Sequence, residues 1–283
     1  MKLKKFFALA LAALMVLGLC ACGKSTSAKV KVVDIKLTDE EYAFGVDKNQ
    51  PELLTKVNEY IAQIKKDGTF DKICNNYFGD GTPEGVTSAK LDSSKDQLVV
   101  ATNAEFEPFE YRDGDKFVGI DMEIASGLAK YLGKELVISH MDFDAVCLSV
   151  SQGKADIAMA GLTVNEKREA YVTFSDSYYN ASQKLVVKAS DTTFDNCKTK
   201  EDVEKLLGEA KEGTKVGGQT GTTGQEYVKG NEEFEFPGYK NLEAVGYKNA
   251  SLAVQDMING NIQYVIIDEA PAKAITEKMN KVS

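Results

Sequence analysis

Residues 98–121 read LVVATNAEFEPFEYRDGDKFVGID. The apolar, β-branched run at 98–102 predicts a buried strand. Asp121 opens a helix over 121–132, and Gly133 closes it, since glycine tolerates the left-handed turn that ends a helix. A second apolar run at 136–140 predicts another strand. Strand, helix and strand in that order form a unit whose two strands run parallel.

The alternation continues downstream. Helices are expected at 143–152 (capped by Asp142), 166–170, 200–207, 222–229, 250–259 and 270–279. Strands are expected at 155–160, 184–188, 214–218, 242–247 and 263–267. The fold class is therefore α/β, with parallel sheets covered by helices on both faces. Upstream, 30–35 and 42–46 are β-rich. Residues 51–66 place Leu53, Leu54, Val57, Ile61 and Ile64 on one helical face, with Pro51 in the first turn, where its missing N–H costs nothing. A second helix is expected at 69–78. Residues 79–96 are rich in Gly, Ser, Thr, Asp and Lys and read as an exposed linker.

The chain has 283 residues, 43% hydrophobic and 27% charged, enough for one large or two smaller cored domains. Its net charge of −9 argues against nucleic acid, which needs clustered Lys and Arg. A single histidine, His140, rules out a His–His metal pair and limits any Ser-His-Asp triad to that residue. It is expected to be structural. No cofactor or metal is called for.

Lys2, Lys4 and Lys5 precede an apolar run of 14 residues, 6–19. That is short for a membrane span, which needs about 20 residues, and suits an export signal. The run ends in Leu19-Cys20-Ala21-Cys22, which resembles a bacterial lipobox with Cys22 as the lipidated residue. A signal at 1–21 and a polar tether at 22–29 follow. Two acyl chains on Cys22 would hold the mature protein to the outer face of the membrane. Loss of three lysines takes the charge from −9 to −12. Cys74, Cys147 and Cys197 remain and are expected to be unpaired.

Two groups of motifs carry a resemblance. One is 98–111 followed by Phe117-Val-Gly-Ile-Asp121. The other is Met141-Asp-Phe-Asp144, Ala160-Gly-Leu-Thr-Val-Asn-Glu-Lys-Arg168 and Phe174-Ser-Asp-Ser-Tyr178. In this order they resemble polar amino-acid-binding proteins of ABC importers, the family 3 extracellular solute-binding proteins. The likeness continues through Val216-Gly-Gly-Gln-Thr-Gly-Thr-Thr223 and Tyr264-Val-Ile-Ile-Asp268. It implies a two-lobed periplasmic-binding-protein type II fold with a ligand cleft between the lobes. The family's terminal block, resembling 41–46, the Pro-Glu-Leu-Leu helix and 66–79, stands first in this chain. The expectation is a circular permutation joined through 79–96. One lobe would span 41–186, including that joint. The other would span 187–283 plus 30–40, with crossings near Glu41 and Val187.

The resemblance also implies a ligand set. Arg168 would hold a carboxylate with its planar fork, sharing it with Thr222 and Thr223 at a helix start. Asp268, at a strand end, would pair with the α-ammonium, joined by the Gly161 carbonyl and Thr163. Phe106 and Phe143 would flank the side chain. Gln219, and with it Gly224, would line the pocket. Asn103 stands where the family often has Asp, which favours a polar, uncharged side chain. The implied function is capture of an L-amino acid by lobe closure and delivery to an ABC permease, by a monomer. A dehydratase-like enzyme on the same fold and a ligand-sensing module are the alternatives.

Overall fold

The computed structural model describes residues 28–281. The expected signal and Cys22 lie outside the described residues. The strand at the heart of the opening stretch, Gln97–Thr102, pairs in parallel with Glu135–His140 through all six residues, Gln97 opposite Glu135 to Thr102 opposite His140. Around it stands a five-stranded sheet in the order Val172–Phe174, Gly45–Asp47, Ile157–Ala158, Gln97–Thr102, Glu135–His140. A second five-stranded sheet runs Val30–Val33, Gln183–Lys188, Tyr264–Asp268, Thr214–Gln219, Leu242–Tyr247. The protein is thus α/β and two-lobed, one sheet per lobe.

The sheets are mixed, not wholly parallel as expected. The reversed strands belong to two stretches that cross between lobes. Residues 30–47 leave the second sheet as Val30–Val33, pass through Glu40–Tyr42, and enter the first as Gly45–Asp47. Residues 172–188 return as Val172–Phe174, Tyr179–Ala181 and Gln183–Lys188. The two stretches pair antiparallel along their length, with Tyr42 opposite Tyr179 at the middle. A chain that must go out and come back lays its two passes side by side in opposite directions, which imposes antiparallel edges on otherwise parallel sheets. Gln183–Lys188 stands wholly in the second sheet, so the return crossing falls at Tyr179–Ala181, before Val187.

Helix Ile120–Leu132 ends at Gly133, whose φ of 70° is the left-handed conformation expected there. Gly119, at φ 135°, lets the chain enter that helix against the Phe109 carbonyl; a Cβ would stand 2.0 Å from that oxygen. Helix Pro51–Lys66 starts on its proline and buries Val57, Tyr60, Ile61 and Ile64. The expected helix at 143–152 splits into a 3-10 turn, Phe143–Ala145, and an α-helix, Val146–Ser151. Asp142 precedes it without a capping hydrogen bond and lies 3.7 Å from Lys248 instead. The expected strand at 155–160 is regular only at Ile157–Ala158. A three-stranded hairpin, Glu105–Phe106, Glu110–Asp113 and Lys116–Val118, fills the stretch between the first strand and its helix. Cys74, Cys147 and Cys197 are free. No helix among the described residues is long and apolar enough to cross a membrane.

The 79–96 linker is irregular but not loose. Val86 exchanges backbone hydrogen bonds with Phe117 at 2.7 and 2.9 Å, and the Ala89 N–H donates to the Leu136 carbonyl. Composition hid this, because one buried valine among polar residues leaves no periodic signal. Glu123, buried on the helix below, accepts from Tyr77 Oη at 2.6 Å, Asn76 Nδ2 at 3.0 Å and the Glu84 N–H at 3.0 Å. It fastens helix Thr69–Phe78 and the linker to the lobe. At the other end, the Lys29 and Val30 N–H groups donate to Asn280 Oδ1, and Asn280 Nδ2 donates to the Val30 carbonyl. Glu123→Ala leaves three donors without their acceptor and should lower unfolding free energy by about 2–3 kcal/mol. Urea denaturation checks this; an unchanged midpoint would mean that the linker carries none of the lobe's stability.

Candidate functional site

Four strands deliver their C-terminal ends to one place between the sheets, where α/β folds put their ligands. Asn103 follows Gln97–Thr102. Gly161 and Thr163 follow Ile157–Ala158. Gln219 ends Thr214–Gln219, and Asp268 ends Tyr264–Asp268. The lobes touch there: Gln219 Nε2 donates to Asn103 Oδ1 at 2.9 Å, and Asn103 Nδ2 donates to the Met141 carbonyl at 2.7 Å. Asn103 is wholly buried. Phe106 packs beside Gly161, where a Cβ would meet its ring at 3.0 Å. Gly161 takes φ 54° there, so glycine keeps both the turn and the space.

Arg168 reaches across the cleft. The Asn165 side chain caps the short helix Glu166–Glu169 by accepting from the Arg168 N–H, which fixes where the arginine leaves the backbone. Its Nη1 donates to the Thr163 carbonyl at 2.7 Å, and Nη2 to the Gly221 carbonyl of the other lobe at 3.3 Å. The guanidinium lies 5.1 Å from the centre of the half-buried Phe143 ring, a cation–π arrangement. Two carbonyls use two of its five donors, and no carboxylate among the described residues pairs with it. Thr222 precedes helix Thr223–Lys229; its hydroxyl turns back to the Gln219 carbonyl at 2.7 Å, and Thr223 is buried behind it. Gly224 does not line the cleft: a Cβ there would stand 2.6 Å from the Ile266 carbonyl, so it is the point where helix presses on strand.

Buried acids gather around the strand end that carries Asp268. Asp268 Oδ1 accepts from Tyr42 Oη at 2.5 Å. Burial, reinforced by the nearby Glu40 charge, pushes the Asp268 carboxyl up to about 7, against the pull of that hydroxyl. Burial also raises Asp121 to about 7, although it accepts from Tyr178 Oη at 2.6 Å and the Gly161 N–H at 2.9 Å. Glu110 is fully buried, neither carboxyl oxygen has a hydrogen-bond partner, and its neighbouring charges are Asp121 and Asp268. Burial first, then those two charges, drives it well above the usual carboxylate range. Glu40 closes the group, accepting from Thr163 Oγ1 at 2.6 Å, Gln183 Nε2 at 3.0 Å and Thr38.

Asn103, Phe106, Gly161, Thr163, Arg168, Gln219 and Asp268 therefore meet around one cleft, with Phe143, Thr222 and Thr223 at its edge. The sequence reading missed Glu40, Tyr42, Glu110, Asp121 and Tyr178. For Glu110 and Asp121 the signal present was the density of acids around 105–123, which on its own reads as solvent-facing charge. His140 is structural: its Nδ1 accepts from the Ala104 N–H at 3.0 Å, and burial lowers its pKa.

Acids whose folded-state pKa is raised hold protons that the unfolded chain has released, so stability falls as pH rises between the two values. For Asp121 and Asp268 that window runs from 3.8 to about 7. The thermal midpoint of the ligand-free protein should be higher at pH 5 than at pH 8, and Asp121→Asn with Asp268→Asn should flatten the difference. Calorimetric scans check this; a midpoint rising from pH 5 to pH 8 would contradict the protonated cluster.

Comparison with known proteins bears on what such a cleft is for. The profile of bacterial extracellular solute-binding proteins, family 3, matches residues 10–80 and 98–277. The arginine-binding extracellular protein ArtP of Bacillus subtilis is 36% identical over 104 residues, 37% of this chain and 41% of that protein. The chain spans 41% to 63% of the length of the curated relatives it matches. An ancestral arginine-binding protein bound to arginine superimposes with a TM-score of 0.53 at 34% identity, over 65% of this chain and 75% of its own. An ancestral amino-acid-binding protein described as a precursor of cyclohexadienyl dehydratase gives 0.53 at 29% identity over 65% of this chain and 74% of its own. With most of its length matched by the profile, this chain belongs to the bacterial extracellular solute-binding proteins, family 3.

Proposed function

We propose that the protein captures an L-amino acid with a cationic side chain between its lobes and hands it to an ABC importer permease. The carrying observation is the pair of charged groups among the strand ends: the Arg168 guanidinium, which among the described residues donates only to carbonyls, and the buried Asp268 carboxyl, with Asp121 and Glu110 buried nearby. An α-carboxylate answers Arg168, with Thr222 and Thr223 beside it, and an α-ammonium answers Asp268. That leaves Glu110, with no donor of its own, to favour a second positive charge on the ligand. Phe106 and Phe143 flank the side chain.

The uncharged reading rests on Asn103, which with Gln219 forms an amide pair suited to a glutamine-like side chain. Titration calorimetry against the twenty L-amino acids separates the two. Arginine or lysine should bind at least tenfold more tightly than glutamine. Arg168→Ala should weaken binding by about 2–5 kcal/mol, because truncation leaves a buried charge unpaired. Glu110→Gln should cost the cationic ligands about tenfold and glutamine little. A preference for glutamine that survives Glu110→Gln would favour the uncharged reading. Turnover of ligand seen by NMR would favour the dehydratase-like alternative; a sensing role would show as binding without uptake.

On this reading the lobes are residues 41–186, and 187–283 with 30–40, adjusted so that Gln183–Lys188 joins the second. Closure about the two crossings traps the ligand. Cys22 carries the lipid that tethers the protein outside the membrane. The order of the blocks is a circular permutation. Its supports are the two-part family match, interrupted at 81–97, and the hydrogen bonds that hold Lys29 and Val30 beside Asn280. A chain running 98–281, then 29–79, should fold and bind the same ligand within about threefold, since old termini that lie close tolerate rejoining. Failure of that chain to fold would count against the permutation.

A further inference from the structure

The segment Asn103–Glu107 crosses to the other lobe at every second residue. Asn103 accepts from Gln219, at the end of a second-lobe strand. Glu105 Oε2 accepts from Asn249 Nδ2 at 2.7 Å. Glu107 Oε2 accepts from Lys278 Nζ at 2.8 Å. Between them, Phe106 turns to the cleft. The period of two is that of extended chain, which sends alternate side chains to one side.

The three partners sit on three separate elements of the second lobe. Asn249 caps helix Ala250–Asn259: its Oδ1 accepts from the Leu252 N–H while its Nδ2 donates to Glu105, so one amide serves both cap and crossing. Lys278 stands on helix Glu269–Lys281 and bridges an interlobe groove of about 690 Å³ that Glu107 and Tyr179 also line. Nearby, Asp142 and Lys248 add a looser pair at 3.7 Å. At the rim each acid is on the first lobe and each donor on the second.

We propose that Glu105 and Glu107 are a latch. They hold the lobes together without touching ligand, and so set how much of the ligand-free protein is already closed. Apparent affinity scales with that closed fraction. The Glu107–Lys278 pair is exposed, and such pairs are individually weak and screened by salt, which suits a latch that must also open. The effect on affinity rests on capture by closure; the effect on ligand-free shape does not.

The test uses the full chain with Glu107→Ala, Lys278→Ala, both together, and the charge exchange Glu107→Lys with Lys278→Glu. Ligand-free radius of gyration is read by small-angle scattering, and L-arginine affinity and off-rate by calorimetry and stopped flow. Each single variant should enlarge the ligand-free protein and weaken binding about 2- to 5-fold, mainly through a faster off-rate. The double variant should lose no more than either single one, and the exchange should recover both readouts. Adding Glu105→Ala should take the loss to about tenfold. Unchanged scattering and affinity in every variant, or no recovery on exchange, would overturn the latch. If the unaltered protein binds no amino acid, the functional reading falls and the scattering alone decides the latch.

Discussion

A buried carboxyl group short of hydrogen-bond donors needs a proton or a cation, and the cleft is built on that constraint. Glu110, Asp121 and Asp268 are removed from water; Tyr42 and Tyr178 donate to the two aspartates, and Glu110 has no donor. Three negative charges in that space would repel one another at low local dielectric. Protons satisfy the group until something positive arrives. On the proposed reading such a group favours a cationic ligand, while Arg168, held across the cleft by two carbonyls, takes its anionic end.

The same layout explains why the crossings matter. Tyr42, whose hydroxyl reaches Asp268, lies on one crossing strand; Tyr179, opposite it, lies on the other. Glu40, two residues earlier, ties Thr163 of one lobe to Gln183 of the other. The hinge is therefore chemically part of the site, so a change at one should be felt at the other. The rim contacts of Glu105 and Glu107 act farther out, on the balance between open and closed forms.

Much of the fold was legible because long elements announce themselves. The helices at 51–66, 69–78 and 250–259 appear where periodicity places them, with Asn249 as the cap of the last. Strands of two or three residues, such as Glu105–Phe106 and Tyr179–Ala181, are too short to show a period, and so they carried no signal of their own. The ligand set came from motif resemblance, not from pattern. Glu110 escaped because a glutamate between Phe109 and Tyr111 looks like the exposed position of a hairpin; only burial with two unpartnered oxygens marks it out. Asp142 illustrates the converse: a good cap on paper, it faces Lys248 across the rim instead.

The central claim is that ligand charge replaces protons in the cleft. Calorimetric titration with L-arginine near pH 6, repeated in buffers of contrasting ionisation enthalpy, reads the protons exchanged on binding. The account predicts a net release of protons, lost when Glu110 and Asp268 are both converted to their amides. Tight binding with no proton release, or with proton uptake, would contradict it.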